Sequence, residues 1–141
     1  MIKLFSLSLQ PLFLAAIMFG VKVPDIVLDA FDTKFPSADE VIWDKVDDKT
    51  FTASFIFNDT LHVARFSDKG KWQETRKEIE YDTLPEKVIN GFEKTYNVSK
   101  VKSVMRSESS TGKIKYVFEI KKLIKTEEVI FSELGKEQVA R

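Results

Sequence analysis

The feature that most constrains the fold of this chain is a helical pattern that occurs twice, 61 residues apart. The first copy follows Pro24, and its apolar residues recur at three- and four-residue spacing until Pro36 interrupts the pattern. The second copy follows Pro85 and ends at Asn97. Because proline suits the first turn of a helix, both stretches are predicted to be helices that bury one apolar stripe. The matching positions are Val27, Phe31 and Phe35 in the first copy and Val88, Phe92 and Tyr96 in the second.

Strand-like sequence follows each predicted helix. Residues 51–57 and 114–120 alternate in polarity, so each stretch presents one apolar face. The connections are short, as antiparallel hairpins require. Each copy is therefore predicted to be a helix followed by a meander of about four strands. The predicted strands are residues 41–46, 50–57, 60–66 and 71–79, then 101–107, 113–120, 124–131 and a short piece after Lys136.

A nearly identical hairpin sequence closes both copies, FSDKGKW at residues 66–72 and FSELGKE at residues 131–137. Gly70 fits the left-handed position of a three-residue hairpin loop, and Gly135 fits the same position in the second copy. This register sets Phe66 opposite Trp72. Residues 21–80 and 81–141 are therefore predicted to be two repeats of one unit that share a compact fold.

Composition excludes several classes of function. The 141 residues include 22 basic and 22 acidic side chains, so no net charge attracts nucleic acid or an anionic membrane. With no cysteine, the chain has no disulfide, thiolate nucleophile or cysteine zinc site. The sequence also lacks a phosphate-binding glycine loop and a dinucleotide-binding motif. No cofactor, metal site or catalytic residue is predicted.

The first twenty residues differ from the rest of the chain. They carry one charge, at Lys3, and are otherwise mostly apolar, which is short for a membrane span but typical of a secretory signal. No Ala-x-Ala cleavage site is present, and an apolar helix kept as an anchor is the alternative. Residues 1–20 are predicted to be a signal peptide, which leaves no stable membrane span after its removal.

Four stretches together resemble the PepSY-like, β-lactamase-inhibitor-like family. They are V-P-x-x-V-x-x-A-F-x-x-K-F-P at residues 23–36, Trp43, F-x-x-x-G-K-W at residues 66–72, and L-P-x-x-V-x-x-x-F at residues 84–92. The resemblance covers essentially all of residues 21–141. It implies an α+β fold in which the two helix-plus-meander units form one extended antiparallel sheet, with helices on one face and the other face open and concave. It also implies export to the periplasm or outside, and binding rather than catalysis. One departure is the turn at Asn58–Asp59, which lacks the expected Asn-Gly and is predicted to be looser.

Few side chains point to chemistry. His62, the one histidine, falls on the same face as Phe55 and Phe57, where filling an apolar position is a simpler role than general base or ligand. Lys121, Lys122 and Lys125 form a basic edge. Glu119, Glu127 and Glu128 lie close in sequence and neutralise it, so protection of an edge strand explains the charges.

Trp43, Trp72 and Phe66 are the candidate partner-binding residues. Large aromatic side chains on an open sheet often anchor a partner, and completion of the core under a helix is the alternative for both tryptophans.

We expect a non-enzymatic, exported module, periplasmic or secreted, that recognises a protein or peptide through its open sheet face. An inhibitor of an exported hydrolase is the specific version, and it rests on the family resemblance. A structural or envelope-associated protein with no discrete ligand is the alternative from a different class. A small enzyme built on two close carboxylates is a third.

Overall fold

A computed structural model describes residues 20–139 of the chain. All but the last residue of the predicted signal peptide therefore lies outside the described residues.

Within residues 20–139, each half of the chain has one helix followed by four strands. A 3₁₀ turn, Tyr81–Thr83, joins the halves, and another, Val98–Lys100, precedes the fifth strand. In chain order the elements are α1 (Asp25–Lys34), β1 (Asp39–Asp47), β2 (Thr50–Phe57), β3 (Thr60–Ser67), β4 (Trp72–Ile79), α2 (Glu86–Glu93), β5 (Val101–Ser109), β6 (Ile114–Lys121), β7 (Thr126–Ser132) and β8 (Glu137–Gln138).

The strands form a single antiparallel sheet whose spatial order is the chain order, β1 to β8. Strands β4 and β5 join the two halves through six residue pairs that run from Glu74↔Ser109 to Ile79↔Val104. Because residues paired across antiparallel strands share a face, the register shows that both helices cover the same face of the sheet. The predicted α+β class, with one sheet and helices on one face, is confirmed.

Helix α1 forms where proline and an acidic residue favour a helix start. Pro24 is the N-cap residue and Asp25 lies in the first turn, where its charge favours the dipole. Phe35, next to Pro36, is the C-cap. Val27 and Phe31 are buried against β2 and β3, and the Phe31 ring packs edge-on to Phe55 at 4.9 Å.

Helix α2 covers a second core cluster. Its Phe92 ring stacks on Phe118 at 4.2 Å between centroids and also packs against Phe131. The helix ends at Glu93, earlier than predicted, so Tyr96 follows the helix instead of extending its stripe. The Tyr96 N–H still donates to the Phe92 carbonyl at 2.9 Å, as Phe35 does to Phe31 at 2.8 Å.

Three hairpins share one turn with the sequence S-x-x-G-K. The turns begin at Ser67, Ser109 and Ser132, and in each the serine N–H donates to the carbonyl of the lysine four residues later. The glycines have φ angles of 79° to 83°, which L-residues rarely adopt. The predicted pairing of Phe66 with Trp72 is confirmed, and Phe131 pairs with Glu137 at the equivalent place in the second half.

The turn at Asn58–Asp59 is tight, so the prediction of a looser turn is wrong. Both residues have positive φ angles, 52° and 62°, and Phe57 pairs directly with Thr60 across a two-residue loop. Asparagine and aspartate tolerate this left-handed conformation better than other non-glycine residues, and regular pairing along β2 and β3 holds the register.

Helix α2 and the β7–β8 turn approach each other at backbone distance. A Cβ placed at Gly91 overlaps the carbonyl oxygen of Gly135 and lies 2.7 Å from its carbonyl carbon. A Cβ at Gly135 overlaps the carbonyl oxygen of Lys87 in the same way. In the first half Ala30 occupies the position equivalent to Gly91, and a Cβ at Gly70 would lie 2.8 Å from the carbonyl oxygen of Ile26, so the helix and turn also approach each other there, but less closely.

Candidate functional site

The face of the sheet opposite the helices, here called the open face, is the candidate functional site. The register and the two core clusters put both helices on the other face, so no element described between residues 20 and 139 covers this one. From β1 to β7 its residues are Ile42 and Asp44; Thr52, Ser54 and Ile56; Leu61, Val63 and Arg65; Glu74, Arg76 and Glu78; Ser103, Met105, Ser107 and Ser109; Lys115, Val117 and Glu119; Glu128, Ile130 and Ser132.

Glu74 lies at the centre of a charged network on this face, where β3, β4 and β5 run side by side. One of its carboxylate oxygens is 2.9 Å from Nη1 of Arg65, and the other is 3.3 Å from Nε of Arg76. The hydroxyl of Ser107, which is buried, donates a hydrogen bond to the second oxygen. Arg76 extends the network to Glu128 on β7, also at 3.3 Å. The network therefore ties together strands from both halves of the chain.

The network holds Glu74 in its charged form. Burial of this carboxyl, which is only 13% exposed, opposes ionisation, but the hydrogen bond from Ser107 and the charges of Arg76 and Arg65 outweigh it. Together they keep the pKa of Glu74 below its usual value. Both arginines therefore share a partly buried carboxylate partner, and these charge-assisted contacts restrict their rotamers.

Aliphatic side chains flank the network on both sides. Met105, Val117 and Ile130 form one row across β5, β6 and β7, and Val117 is buried although it faces away from the helices. On the other side of the network, Val63 and Leu61 continue the surface along β3. The open face is therefore a charged centre between two aliphatic areas, and none of its residues is aromatic.

The three candidate partner-binding residues lie on the face that the helices cover, as in the core alternative given for the tryptophans, so the expected position of Trp72 on the open face is wrong. Phe66 is buried, and Trp43 packs against Phe31 at 5.3 Å between ring centroids. Trp72 donates from Nε1 to the Thr75 hydroxyl at 2.7 Å. The ammonium of Lys34, from α1, lies 3.9 Å from the centre of one Trp72 ring. Partner binding by these residues stays a prediction.

The physical reason for the error is that register decides which residues share a face but not which face a helix covers. Phe66 and Trp72 pair as expected, but they lie with Phe51 and Phe55 under α1. The sequence-based expectations do not include the charged network. Its signal was present, because Arg65 stands between the buried Ala64 and Phe66 and must therefore point to the opposite side.

His62 fills the apolar position predicted for it. Its ring stacks on Phe55 at 5.5 Å and packs edge-on to Phe57 at 5.6 Å. Burial lowers the pKa of His62, with a smaller contribution from the positive charge of Lys77, although its hydrogen bond with the Thr60 carbonyl acts in the opposite direction. The imidazole is a buried core group rather than an exposed base.

The described residues hold no arrangement typical of a metal centre. In the stretch from Gly20 to Val139, no three His, Asp or Glu side chains come together in a way that suits a metal ion. Neither helix in that stretch has the length and apolar character needed to cross a membrane.

A family model described as "Putative beta-lactamase-inhibitor-like, PepSY-like" matches residues 49–137. Among solved structures, a protein of Bacteroides eggerthii described as a "putative periplasmic" protein superposes with a TM-score of 0.73 at 19% identity, covering 83% of this chain and 86% of its own. A DUF2874 family protein of Bacteroides ovatus gives a TM-score of 0.71 at 22% identity, covering 86% and 89%. A BLIP-like protein of Bacteroides fragilis gives 0.65 at 20% identity, covering 84% and 85%. None of the curated proteins compared with the chain matches it.

Proposed function

Because the chain belongs to the β-lactamase-inhibitor-like, PepSY-like family, we propose that it is an exported, non-enzymatic module that binds a protein or peptide through the open face of its sheet. The observation that carries the proposal is that face itself. One side of the sheet has no covering element within the described residues, and ion pairs link four of its charged side chains, Arg65, Glu74, Arg76 and Glu128.

The Glu74 network makes the open face suitable for recognition. Arg65 and Arg76 are held by a partly buried carboxylate, so a partner that binds them pays little side-chain entropy. Glu128 leaves about half of its side chain exposed beside Arg76, so the face offers both signs of charge. Such a pattern selects partners by electrostatic complementarity, and the aliphatic areas on either side supply apolar contact.

Export and an inhibitory role are extensions of the proposal. One matched structure is described as "putative periplasmic" and another as "BLIP-like". For this chain we infer a periplasmic or secreted location, with residues 1–20 as its signal. An exported hydrolase is the specific class of partner that the family description suggests.

We also infer that the halves 21–80 and 81–141 are two copies of one unit. The support is the shared order of one helix and four strands, together with a separate core cluster in each half. The equivalent residues Phe31 and Phe92 are both buried at the centre of their clusters.

Pull-down of the tagged protein from periplasmic and secreted fractions, followed by mass spectrometry, tests the proposal. The open-face variant is Ser54→Arg/Leu61→Arg, and the matched control is Ile26→Arg, an exposed aliphatic residue on α1. We expect the double variant to lose the partner that the native chain retains, and the control to keep it. Unchanged thermal melts must accompany both results.

Two outcomes oppose the proposal. If no partner is enriched over an untagged control, a structural envelope role replaces it. If the open-face variant keeps its partner while Trp72→Ala loses it without loss of stability, the binding surface is on the helix side.

A further inference from the structure

The β6–β7 hairpin ends in two fully exposed aliphatic side chains. The relative exposures of Leu123 and Ile124 are 102% and 96%, the highest of the large apolar residues that the structure describes. The N–H of Lys122 donates to the carbonyl of Lys125 at 2.7 Å and closes the loop. We call residues 121–125 the β6–β7 tip. Its apolar pair touches no core cluster and contributes nothing to packing.

Lysines surround this apolar pair. Lys121, Lys122 and Lys125 are all exposed, and only Lys122 has an ion-pair partner within residues 20–139, Glu127 at 3.1 Å. Lys100 lies at the same end of the sheet, because Val101 beside it pairs with Ile120. The apolar pair is therefore flanked by the three lysines of the tip, with a fourth lysine at the same end of the sheet.

The neighbouring glutamates neutralise the tip less than the sequence indicates. Glu128 faces the open side and bonds to Arg76 across the sheet. Glu119 accepts hydrogen bonds from Ser103 and Thr126, also on the sheet surface. Glu127 alone forms an ion pair with a lysine of the tip.

We propose that the β6–β7 tip binds the surface of an anionic lipid bilayer. Leu123 and Ile124 enter the boundary between headgroups and acyl chains, and the lysines meet lipid phosphates. A long lysine side chain can keep its ammonium group in the headgroup layer while the adjacent Leu123 and Ile124 are buried in the bilayer. The order of residues in the tip suits this mode of binding.

The composition of the tip favours a bilayer over a protein partner. Protein interfaces are depleted in lysine, and a stable one buries about 800 Å² on each side. Two adjacent aliphatic side chains on a projecting turn supply only a small part of such an area. A bilayer requires no matching contour and attracts exposed lysines through its own charge.

Vesicle co-sedimentation of the purified protein, in the form that its host accumulates, tests the proposal. The probes are vesicles of phosphatidylcholine alone and of phosphatidylcholine mixed with phosphatidylglycerol. The apolar variant is Leu123→Ser/Ile124→Ser, and the charge variant is Lys121→Gln/Lys125→Gln. The matched control is Leu134→Ser, which changes an exposed leucine in the turn at the opposite end of β7. All variants share one N-terminus, so any binding by that segment is common to them.

We expect the native chain and the Leu134→Ser control to bind the anionic vesicles. Binding should fall about tenfold or more in the apolar variant, and it should weaken with salt and in the charge variant. Unchanged thermal melts show that the variants are folded. The proposal is overturned if the native chain does not bind, if binding to neutral vesicles is equal, or if the apolar variant binds as the native chain does. Loss of a protein partner by the apolar variant, without vesicle binding, assigns the tip to a protein interface instead.

Discussion

Replacement of Gly91 by alanine tests the contact between α2 and the β7–β8 turn. Helix propensity alone predicts stabilisation by about 1 kcal/mol, because alanine is the better helix former. The structure predicts the opposite sign. The added methyl group overlaps the carbonyl oxygen of Gly135 and lies 2.7 Å and 2.9 Å from its carbonyl carbon and Cα. All three are backbone atoms, so no side-chain rotation relieves the overlap.

The loss of stability in Gly91→Ala depends on which elements must shift to relieve the overlap. Relief requires α2 to shift away from the turn, which disturbs the fully buried Val88 and Phe92. Overpacking of this kind costs about 1–3 kcal/mol, and the upper end applies to a backbone overlap. After the gain in propensity, a net loss of about 2 kcal/mol remains. That loss lowers the urea midpoint by about 1 M, since m-values of small proteins are about 1–3 kcal/mol per M.

Urea unfolding followed by circular dichroism measures this effect, with Ala30→Gly as the matched control. Ala30 occupies the equivalent site on α1 and packs against the first core cluster, so its replacement should cost about 1 kcal/mol through propensity, with the lost methyl contacts adding to that cost. We therefore expect both variants to be less stable, although one adds a methyl group and the other removes one. A higher midpoint for Gly91→Ala would refute the close approach of α2 to the turn.

Three further predictions concern the core and one turn. Phe31→Ala and Phe92→Ala should each lower the free energy of unfolding by about 3–5 kcal/mol, measured from denaturation curves. A loss below about 1 kcal/mol for either variant contradicts the packing of that helix. Asp59→Gly should raise stability by up to about 1 kcal/mol because glycine adopts the positive φ of this turn without strain, and a lower melting temperature contradicts the assigned turn. Because folding lowers the pKa of His62 below 6.5, the unfolded state binds the proton more readily, and stability should fall as the pH drops below about 6.5. His62→Phe should flatten that part of the profile of stability against pH, and an unchanged profile contradicts the burial of the ring.

Local pattern predicts most of the architecture because each signal is carried by neighbouring residues. The helix starts at Pro24 and Pro85 and the hairpins at Gly70 and Gly135 depend on backbone preferences that act within a few residues. For the same reason the sequence predicts that Phe66 pairs with Trp72.

The arrangement of the candidate site depends on contacts between distant segments, which no local pattern reports. Alternation divides a strand into two faces but does not say which face a helix covers, so it does not place Trp72 under α1. Glu74 joins Ser107 and Arg76 only because β4 and β5 pair across the link between the halves. Gly91 also depends on a distant segment. No Cβ fits at this position because the backbone of Gly135, on the β7–β8 turn, occupies the space.

The agreement between strand order and chain order has a consequence for folding kinetics. Every strand pairs only with strands adjacent to it in the chain, so most pairings close short loops, and chains with such local contacts fold fast. The exception is the seam between β4 and β5, where Ile79 must meet Val104 with α2 between them. Formation of this seam requires the longest loop closure in the sheet, so we expect the two halves to become ordered first and to join in the slowest step.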